Sequence, residues 1–289
     1  MTVLEAVKEA AGTLESAGVP DSRLDAELLL AHVLKGNRME LMLKGHELLS
    51  PSARESYNGL LERRTRREPL QYILKSQSFM GFDLYVDENV LIPRPETELL
   101  CERVLHWLKG QDRPSPKVLD LCTGSGALAV AIACLAPRAQ VFAADISEKA
   151  LAVAKKNAGA HHAGITFCQG DFLSAVSGLQ FDCIVCNPPY IPTADCATLQ
   201  AEVRREPRAA LDGGTDGLRF YRQLALEAPL FLCPGGALFC EAGHDQAEAV
   251  ESLLAPHFER TAVFQDLSHI PRIVSAVLPN ALPGGIHVR

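Results

Sequence analysis

From Lys117 to Asn187 the chain repeats one unit: a short apolar run, a turn, then an Ala-rich helical segment. This repetition constrains the fold more than any other feature. The runs are KVLDL (117–121), QVFAADI (140–146), ITFCQ (165–169) and FDCIVCN (181–187). Short runs without polar alternation are the pattern of strands buried on both faces, and intervening helices return the chain so that such strands lie parallel. The segment therefore predicts an α/β fold with a doubly wound sheet. Further on, GALFCEAG (236–243), a helix around Glu248 to Leu254, TAVFQDL (261–267) and IVSAVL (273–278) predict extra strands at the far edge, one of them antiparallel.

Residues 1 to about 75 have another texture. Val3, Leu4, Val7, Ala10, Ala11 and Leu14 recur at spacings of three and four, one face of a helix that Gly18-Val19-Pro20 ends. Ser22 with Asp25 reads as a capping box ahead of Leu24, Leu28, Leu29, Val33 and Leu34. Asn37 caps a short helix, and Ser50-Pro51 supplies a cap and first-turn proline for another. That helix ends in Arg63-Arg64-Thr65-Arg66-Arg67, which reads as a solvated terminus favoured by the macrodipole or, more sharply, as a contact patch for an acidic or RNA-associated partner. Alternation at Phe82, Leu84 and Val86, followed by Val90, Leu91 and Ile92, predicts a hairpin. The expected organisation is a helical domain over 1–77, a hairpin linker over 78–93 and a catalytic domain over 94–289.

Composition excludes several classes. The 289 residues are 47% apolar and 22% charged, ordinary for a globular chain. Their 28 basic and 35 acidic residues sum to −7, the wrong sign for a protein that coats nucleic acid. No apolar run reaches the roughly 18 residues a membrane helix needs, and the start lacks a signal or transit pattern. The expectation is a soluble, cytoplasmic, monomeric protein with no membrane association. Nine cysteines are scattered from Cys101 to Cys240. The Cys183–Cys186 pair has CxxC spacing but lies in an expected strand, where residues three apart face opposite sides and cannot share a metal. No metal site is expected.

The chemistry-bearing residues follow the strands, where open parallel sheets bind ligands. Asp120-Leu121-Cys122-Thr123-Gly124-Ser125-Gly126 turns from the first run into its helix. Its glycines allow close backbone approach, but Leu128 and Ala129 stand where a GxGxxG dinucleotide fingerprint would need its third glycine. Asp145 closes the second run, placed to accept ribose hydroxyls. Asp171 and Phe172 follow the third, a carboxylate for an exocyclic amine and an aromatic for an adenine face. One acid per unit fits an adenosine-bearing ligand without a pyrophosphate. Asn187-Pro188-Pro189-Tyr190 ends the fourth run. Two prolines remove N–H donors, so the Asn187 side-chain oxygen and the Pro188 carbonyl make an acceptor pair for a planar NH₂ group, with Tyr190 to stack on it. Such a clamp suits attack by a poor nitrogen nucleophile, because it aims the lone pair and stabilises the charge that develops.

These motifs resemble class I S-adenosylmethionine-dependent methyltransferases acting on NH₂ nitrogens. Glu68-Pro69-Leu70-Gln71-Tyr72-Ile73, Leu91 to Glu98 and Ala210 to Leu218 further resemble the HemK/PrmC-type protein-glutamine methyltransferases, and the likeness runs through nearly the whole chain. The resemblance implies a seven-stranded, Rossmann-like methyltransferase sheet. It implies S-adenosyl-L-methionine as cofactor, leaving S-adenosyl-L-homocysteine, and the Gly-Gly-Gln glutamine of class I peptide chain release factors as substrate, with no direct nucleic-acid substrate. By position, Asp120 and Cys122 to Gly126 would line the methionine part of the cofactor, Asp145 the ribose, and Asp171 and Phe172 the adenine. Asn187 to Tyr190 would hold the glutamine amide, with Asn187 facing both cofactor and substrate. The family usually has glycine at Cys122, so cysteine is expected to keep φ negative there. It also usually has glycine soon after Tyr72-Ile73, where this chain has Lys75-Ser76. The nearest alternative is a ribosomal-protein glutamine methyltransferase. A nucleic-acid adenine methyltransferase, which would need a basic recognition region and room for a flipped base, stands further off.

Overall fold

A computed structural model describes residues 1–280 and divides into two units, Met1–Ser76 with Gln200–Arg205, and Gln77–Leu199 with Glu206 onward. The first unit is helical: α1 (Val3–Ser16), α2 (Ser22–Val33), α3 (Arg38–Leu43), α4 (Pro51–Thr65) and α5 (Leu70–Leu74). Thr2 and Glu5 cap α1 reciprocally, side chain to backbone in both directions. Asn37 and Ser50 cap α3 and α4 as their sequence positions predict. The capping box expected at Ser22 and Asp25 does not form. Asp21 is the N-cap and makes no side-chain bond, while Asp25 is buried and turned toward Arg64 (2.7 Å).

The arginine run divides between buried and solvated members. Arg64 is 5% exposed and donates to Asp25, to the Glu68 carbonyl and to Glu202. Arg63 pairs with Glu68, Arg66 with Glu62, and Arg67 with both oxygens of Glu202. Arg64 and Arg67 thus cross-link to carboxylates far away in sequence, while Arg66 stays a solvated residue at the helix end. At the end of α5, Lys75 takes the left-handed conformation (φ 59) that a glycine would adopt without strain.

The second unit opens with a hairpin, β1 (Gln77–Phe79) and β2 (Phe82–Leu84), joined by Met80-Gly81, both at positive φ as a two-residue turn of this kind requires. It is earlier and shorter than predicted. At Tyr85 the Asn157 side chain takes over, accepting from the backbone N–H (2.7 Å) and donating to the carbonyl (3.0 Å). Val90 and Ile92 are buried but lie outside any strand, and the Ile92 N–H goes to the Glu206 carboxylate.

Then follow α6 (Pro95–Lys109), β3 (Lys117–Leu121), α7 (Ala127–Leu135), β4 (Gln140–Asp145), α8 (Glu148–Ala160), β5 (Ile165–Gln169), β6 (Phe181–Cys186), α9 (Arg219–Phe231), β7 (Leu232–Glu241), α10 (Ala247–Leu254), β8 (Arg260–Gln265) and β9 (Pro271–Val277). The seven strands lie in the order β5-β4-β3-β6-β7-β9-β8, parallel except for β9, which runs antiparallel to both neighbours. All six residues of β6 are buried, which explains its unbroken apolar run. Its alternate side chains enter different cores: Cys183 and Val185 pack with α6 and α7, Ile184 and Cys186 with α9 and α10. The two thiols of the CxxC thus face opposite sides, and all nine cysteines are free. Among the described residues no helix is long and apolar enough to cross a membrane.

Candidate active site

The order of winding reverses between β3 and β6, which are hydrogen-bonded neighbours with Leu121 opposite Cys186. The loop after β3 and the Asn187 segment after β6 therefore begin side by side, at the place where doubly wound sheets open a crevice.

The β3 loop is fastened from below. Asp120, 1% exposed, accepts from the Thr123 hydroxyl (2.5 Å) and from the Ala129 N–H (3.1 Å), and burial pushes its carboxyl up to about 7. Its Oδ1 has no hydrogen-bond partner. Asp145 fastens the loop from the side, accepting from the Gly124 N–H and the Ser147 N–H, both at 2.9 Å. Burial raises its carboxyl, and those N–H bonds pull the other way. Asn157 adds a third tie, donating to the Ser125 carbonyl (2.8 Å). At Gly126 (φ 80) a Cβ would lie 2.9 Å from the Cβ of Ala154, so the close approach of α8 requires glycine.

Cys122 departs from expectation. Its φ is 61, in the left-handed region, not negative. The turn from strand to helix demands that conformation, and the surrounding bonds hold cysteine in it at a strain of about 1–2 kcal/mol. Phe172, after β5, is strained in the same way (φ 52). Its ring is 5% exposed and packs on Phe220 at 5.7 Å, so it does not offer an open face. Asp171 beside it is exposed.

The Asn187 segment is held from three directions. The Gly213 N–H donates to the Ile191 carbonyl (2.8 Å), and the Ile191 N–H to that of Leu211 (2.9 Å). A Cβ at Gly213 would meet the Tyr190 Cα at 2.7 Å, so the glycines in the Ala210–Leu218 stretch let one backbone lie on another. Gln246 donates to the Tyr190 carbonyl (2.9 Å). Third, the Asn187 Nδ2 donates to the Thr97 hydroxyl (3.1 Å), which donates to Glu241 Oε2 (2.6 Å), while the Tyr190 hydroxyl reaches Glu241 Oε1 (3.3 Å). Burial drives the Tyr190 phenol far up, so it stays a donor. The Asn187 Oδ1 is buried and has no partner.

Sequence reasoning singled out Asn187 and Tyr190 but not Thr97, Glu241, Gln246 or Asn157. Thr97 stands inside the Pro93–Glu98 motif and Glu241 ends a strand on the ligand side of the sheet, the one signal that marked them. Among the described residues no group of three or more His, Cys, Asp or Glu is placed to hold a metal ion.

A doubly wound sheet with an acid-pinned glycine loop and an Asn-Pro-Pro-Tyr segment at its switch point defines a class I methyltransferase. Family models agree: the PrmC N-terminal domain matches residues 5–74 and the methyltransferase small domain residues 97–224. A release factor glutamine methyltransferase of Geobacter sulfurreducens is 44% identical, covering 91% of this chain and 92% of its own. One of Chlorobaculum tepidum is 42% identical, over 96% and 97%. The chain belongs to the release factor glutamine methyltransferase family. At the level of fold, a crystal structure of a methyltransferase from Pyrococcus furiosus superposes with a TM-score of 0.54 at 17% identity, covering 75% of this chain and 98% of that one.

Proposed function

We propose that the protein transfers a methyl group from S-adenosyl-L-methionine to the side-chain amide nitrogen of the glutamine in the Gly-Gly-Gln motif of class I peptide chain release factors. The family relationship supports the reaction and its substrate. The observation that carries the site assignment is the buried, unpartnered Oδ1 of Asn187 at the switch point.

The donor set fits the cofactor. A Cβ on Gly124 would meet nothing within 4 Å, so the loop has open space beside the Asp145 carboxylate. Each Asp145 oxygen carries one N–H bond and keeps lone-pair capacity for a ribose hydroxyl. The backbone from Cys122 to Gly126 lines the methionine part, with Asp120 beneath it. Asp171 would hold the adenine end, with Phe172 packed behind it on Phe220. The bound cofactor supplies an electrophilic methyl on a sulfonium sulfur.

The protein's part is to aim the nucleophile. Asn187 Oδ1 and the Pro188 carbonyl accept the two N–H hydrogens of the glutamine amide, and Pro189 and Tyr190 hold its plane. The nitrogen lone pair, withdrawn from amide conjugation, then points along the line of attack. As the amide nitrogen takes the methyl in exchange for its bond to the sulfonium, positive charge would develop on that nitrogen. The two acceptors strengthen with that charge, which is how a fixed dipole lowers a barrier. The N-methylated cation is a strong acid and releases its proton to water, so no general base is needed beforehand. The helical domain (1–77) recognises the release factor, the hairpin segment (78–93) links, and 94–289 carries the chemistry.

The test is methyl transfer from radiolabelled cofactor to release factor, ribosomal protein and DNA in parallel. Label is expected in the Gly-Gly-Gln peptide of the release factor alone. Equal labelling of a Gln→Ala substrate would sink the assignment, and preferential labelling of ribosomal protein would move it to the sibling activity.

A further inference from the structure

We propose that Glu241, acting through Thr97, is the positioning residue that decides which end of the Asn187 side-chain amide faces the substrate. The inference rests on the methyl-transfer reading above, and it explains why the oxygen is the end of the amide left without a partner.

An asparagine amide has one acceptor end and one donor end of nearly the same shape, and only its neighbours settle which is which. The amide clamp requires oxygen toward the substrate. With nitrogen there instead, donor would face donor and the glutamine would be turned away. The polarity originates at Glu241, at the end of β7. Above about pH 7 Glu241 is ionised, and an ionised carboxylate only accepts. Thr97, in the first turn of α6, must therefore spend its single hydroxyl hydrogen on Glu241 Oε2 at 2.6 Å. The threonine oxygen is left as an acceptor and takes its hydrogen from Asn187 Nδ2 at 3.1 Å. Asn187 Oδ1 is thereby the end left unpartnered. A flipped amide would set two lone-pair-bearing oxygens against each other with no hydrogen between them.

Glu241 is itself immobilised. It is 2% exposed, its second oxygen takes the Tyr190 hydroxyl at 3.3 Å, and its backbone carbonyl accepts from the Tyr221 hydroxyl at 2.7 Å. One carboxylate thus orients both polar side chains of the Asn-Pro-Pro-Tyr segment without needing to touch the substrate.

The chain of bonds distinguishes substitutions of nearly equal size. In Glu241→Gln the new NH₂ can donate to Thr97, which frees the threonine hydrogen to bond Asn187 Oδ1 and turn the amide. Thr97→Val removes the relay and keeps the volume. Thr97→Ser keeps the relay. Steady-state methylation of release factor, cofactor affinity by titration and a thermal melt are measured at about pH 8.5, where Glu241 is ionised, on the full-length wild type and the three variants. Glu241→Gln and Thr97→Val are expected to lower kcat by about 10- to 100-fold with cofactor Kd within about threefold, and Thr97→Ser to stay within about threefold of wild type in kcat. Wild-type kcat in Glu241→Gln or Thr97→Val would overturn the inference. So would a loss in Thr97→Ser matching that in Thr97→Val, or a kcat loss accompanied by lost cofactor binding, since either would mean local collapse. Failure of the wild type to label the Gly-Gly-Gln glutamine would instead overturn the reaction assignment.

Discussion

Cys122 shows how a single backbone angle can contradict a reading based on side-chain size. Cysteine is small enough for the loop, yet the loop holds it at φ 61, where a Cβ is disfavoured whatever the space around it. Glycine there relieves native strain but frees the unfolded chain, and the two effects oppose each other. Cys122→Gly is accordingly expected to stabilise by no more than about 1 kcal/mol, while β-branched Cys122→Val costs about 2 kcal/mol or more, both read from urea unfolding. Glu241 carries a different kind of cost. Burial and the nearby Glu96 push its carboxyl up to about 7 from 4.5, against bonds from Thr97 and Tyr190 and the charge of Arg272. Tyr221 and Cys240 face the same locality and are themselves raised. Between those values the folded protein keeps a proton that the unfolded chain has released. The group's contribution to stability is therefore full below about pH 4.5 and lost as pH rises through about 7. Glu241→Gln removes that titration, so its stability relative to wild type is expected to be greater at pH 8 than at pH 5, by roughly 1–3 kcal/mol. The opposite ordering in urea unfolding at the two pH values would refute this account. A buried carboxylate kept at the expense of stability, beside the reacting centre, is what a functional role looks like.

At the scale of elements, Arg64 is the clearest case of a side chain whose meaning depends on partners remote in sequence. It is 5% exposed and bonds Asp25 on α2 and Glu202 in the 200–205 segment. The two carboxylates respond oppositely. Asp25 is raised, because burial outweighs its one arginine, whereas Glu202, served by Arg64 and Arg67, falls to about 2. Arg64→Ala strands a buried Asp25 and is expected to destabilise the helical unit by about 3–5 kcal/mol in urea unfolding, with Asp25→Asn in the same chain recovering part of the loss. Legibility divides along the same line. The strands were readable because β3 and β6 are apolar on both faces whatever their partners are. Asn37 and Ser50 were readable because a cap acts within its own turn. The capping box at Ser22, the solvated placement of Arg64 and the hairpin's second arm failed together, for one reason. Asp25, Arg64 and the backbone at Tyr85 and Ile92 are each claimed by a group between 39 and 138 positions away. Pattern and propensity register what a residue prefers alone, not which distant side chain reaches it. The site divides likewise: Asn187 and Tyr190 announced themselves through their prolines, while Thr97 and Glu241 had meaning only once β7 and α6 were placed.

For the whole molecule, the connection between β6 and α9 ties these scales together. It leaves the sheet at Tyr190, gives residues 200–205 to the helical unit, and returns so that Gly213 and Gly217 lie against the Tyr190 backbone. Its middle is secured by Glu202, which accepts from Arg64 at 2.9 Å and from Arg67 at 2.6 and 2.7 Å. Glu206, four residues on, accepts instead from Arg94 and the Ile92 N–H in the sheet unit. Residues 200–205 are held by ion pairs within the helical unit, and Gly213 and Gly217 by backbone contacts within the sheet unit. Because Glu202 is depressed to about 2, its ionised form stabilises the fold above pH 4.5, and that contribution fades only as pH falls toward 2. It is therefore complete at neutral pH, where the anchor can be tested by removing it. Glu202→Ala leaves Arg64 with Asp25 but deprives the segment of its charge partners. Trypsin is expected to cut at Arg204, Arg205 or Arg208 at least about tenfold faster, since cleavage follows the population of the locally opened chain. Cofactor affinity should hold, because the β3 loop is fastened by Asp120, Asp145 and Asn157 without help from this segment. Methylation of release factor should fall several-fold in kcat/KM through looser seating of Tyr190. Cleavage at the wild-type rate would show that the ion pairs do not hold the segment. Cleavage that is faster with kcat/KM unchanged would show that order at 200–205 is not transmitted to Tyr190.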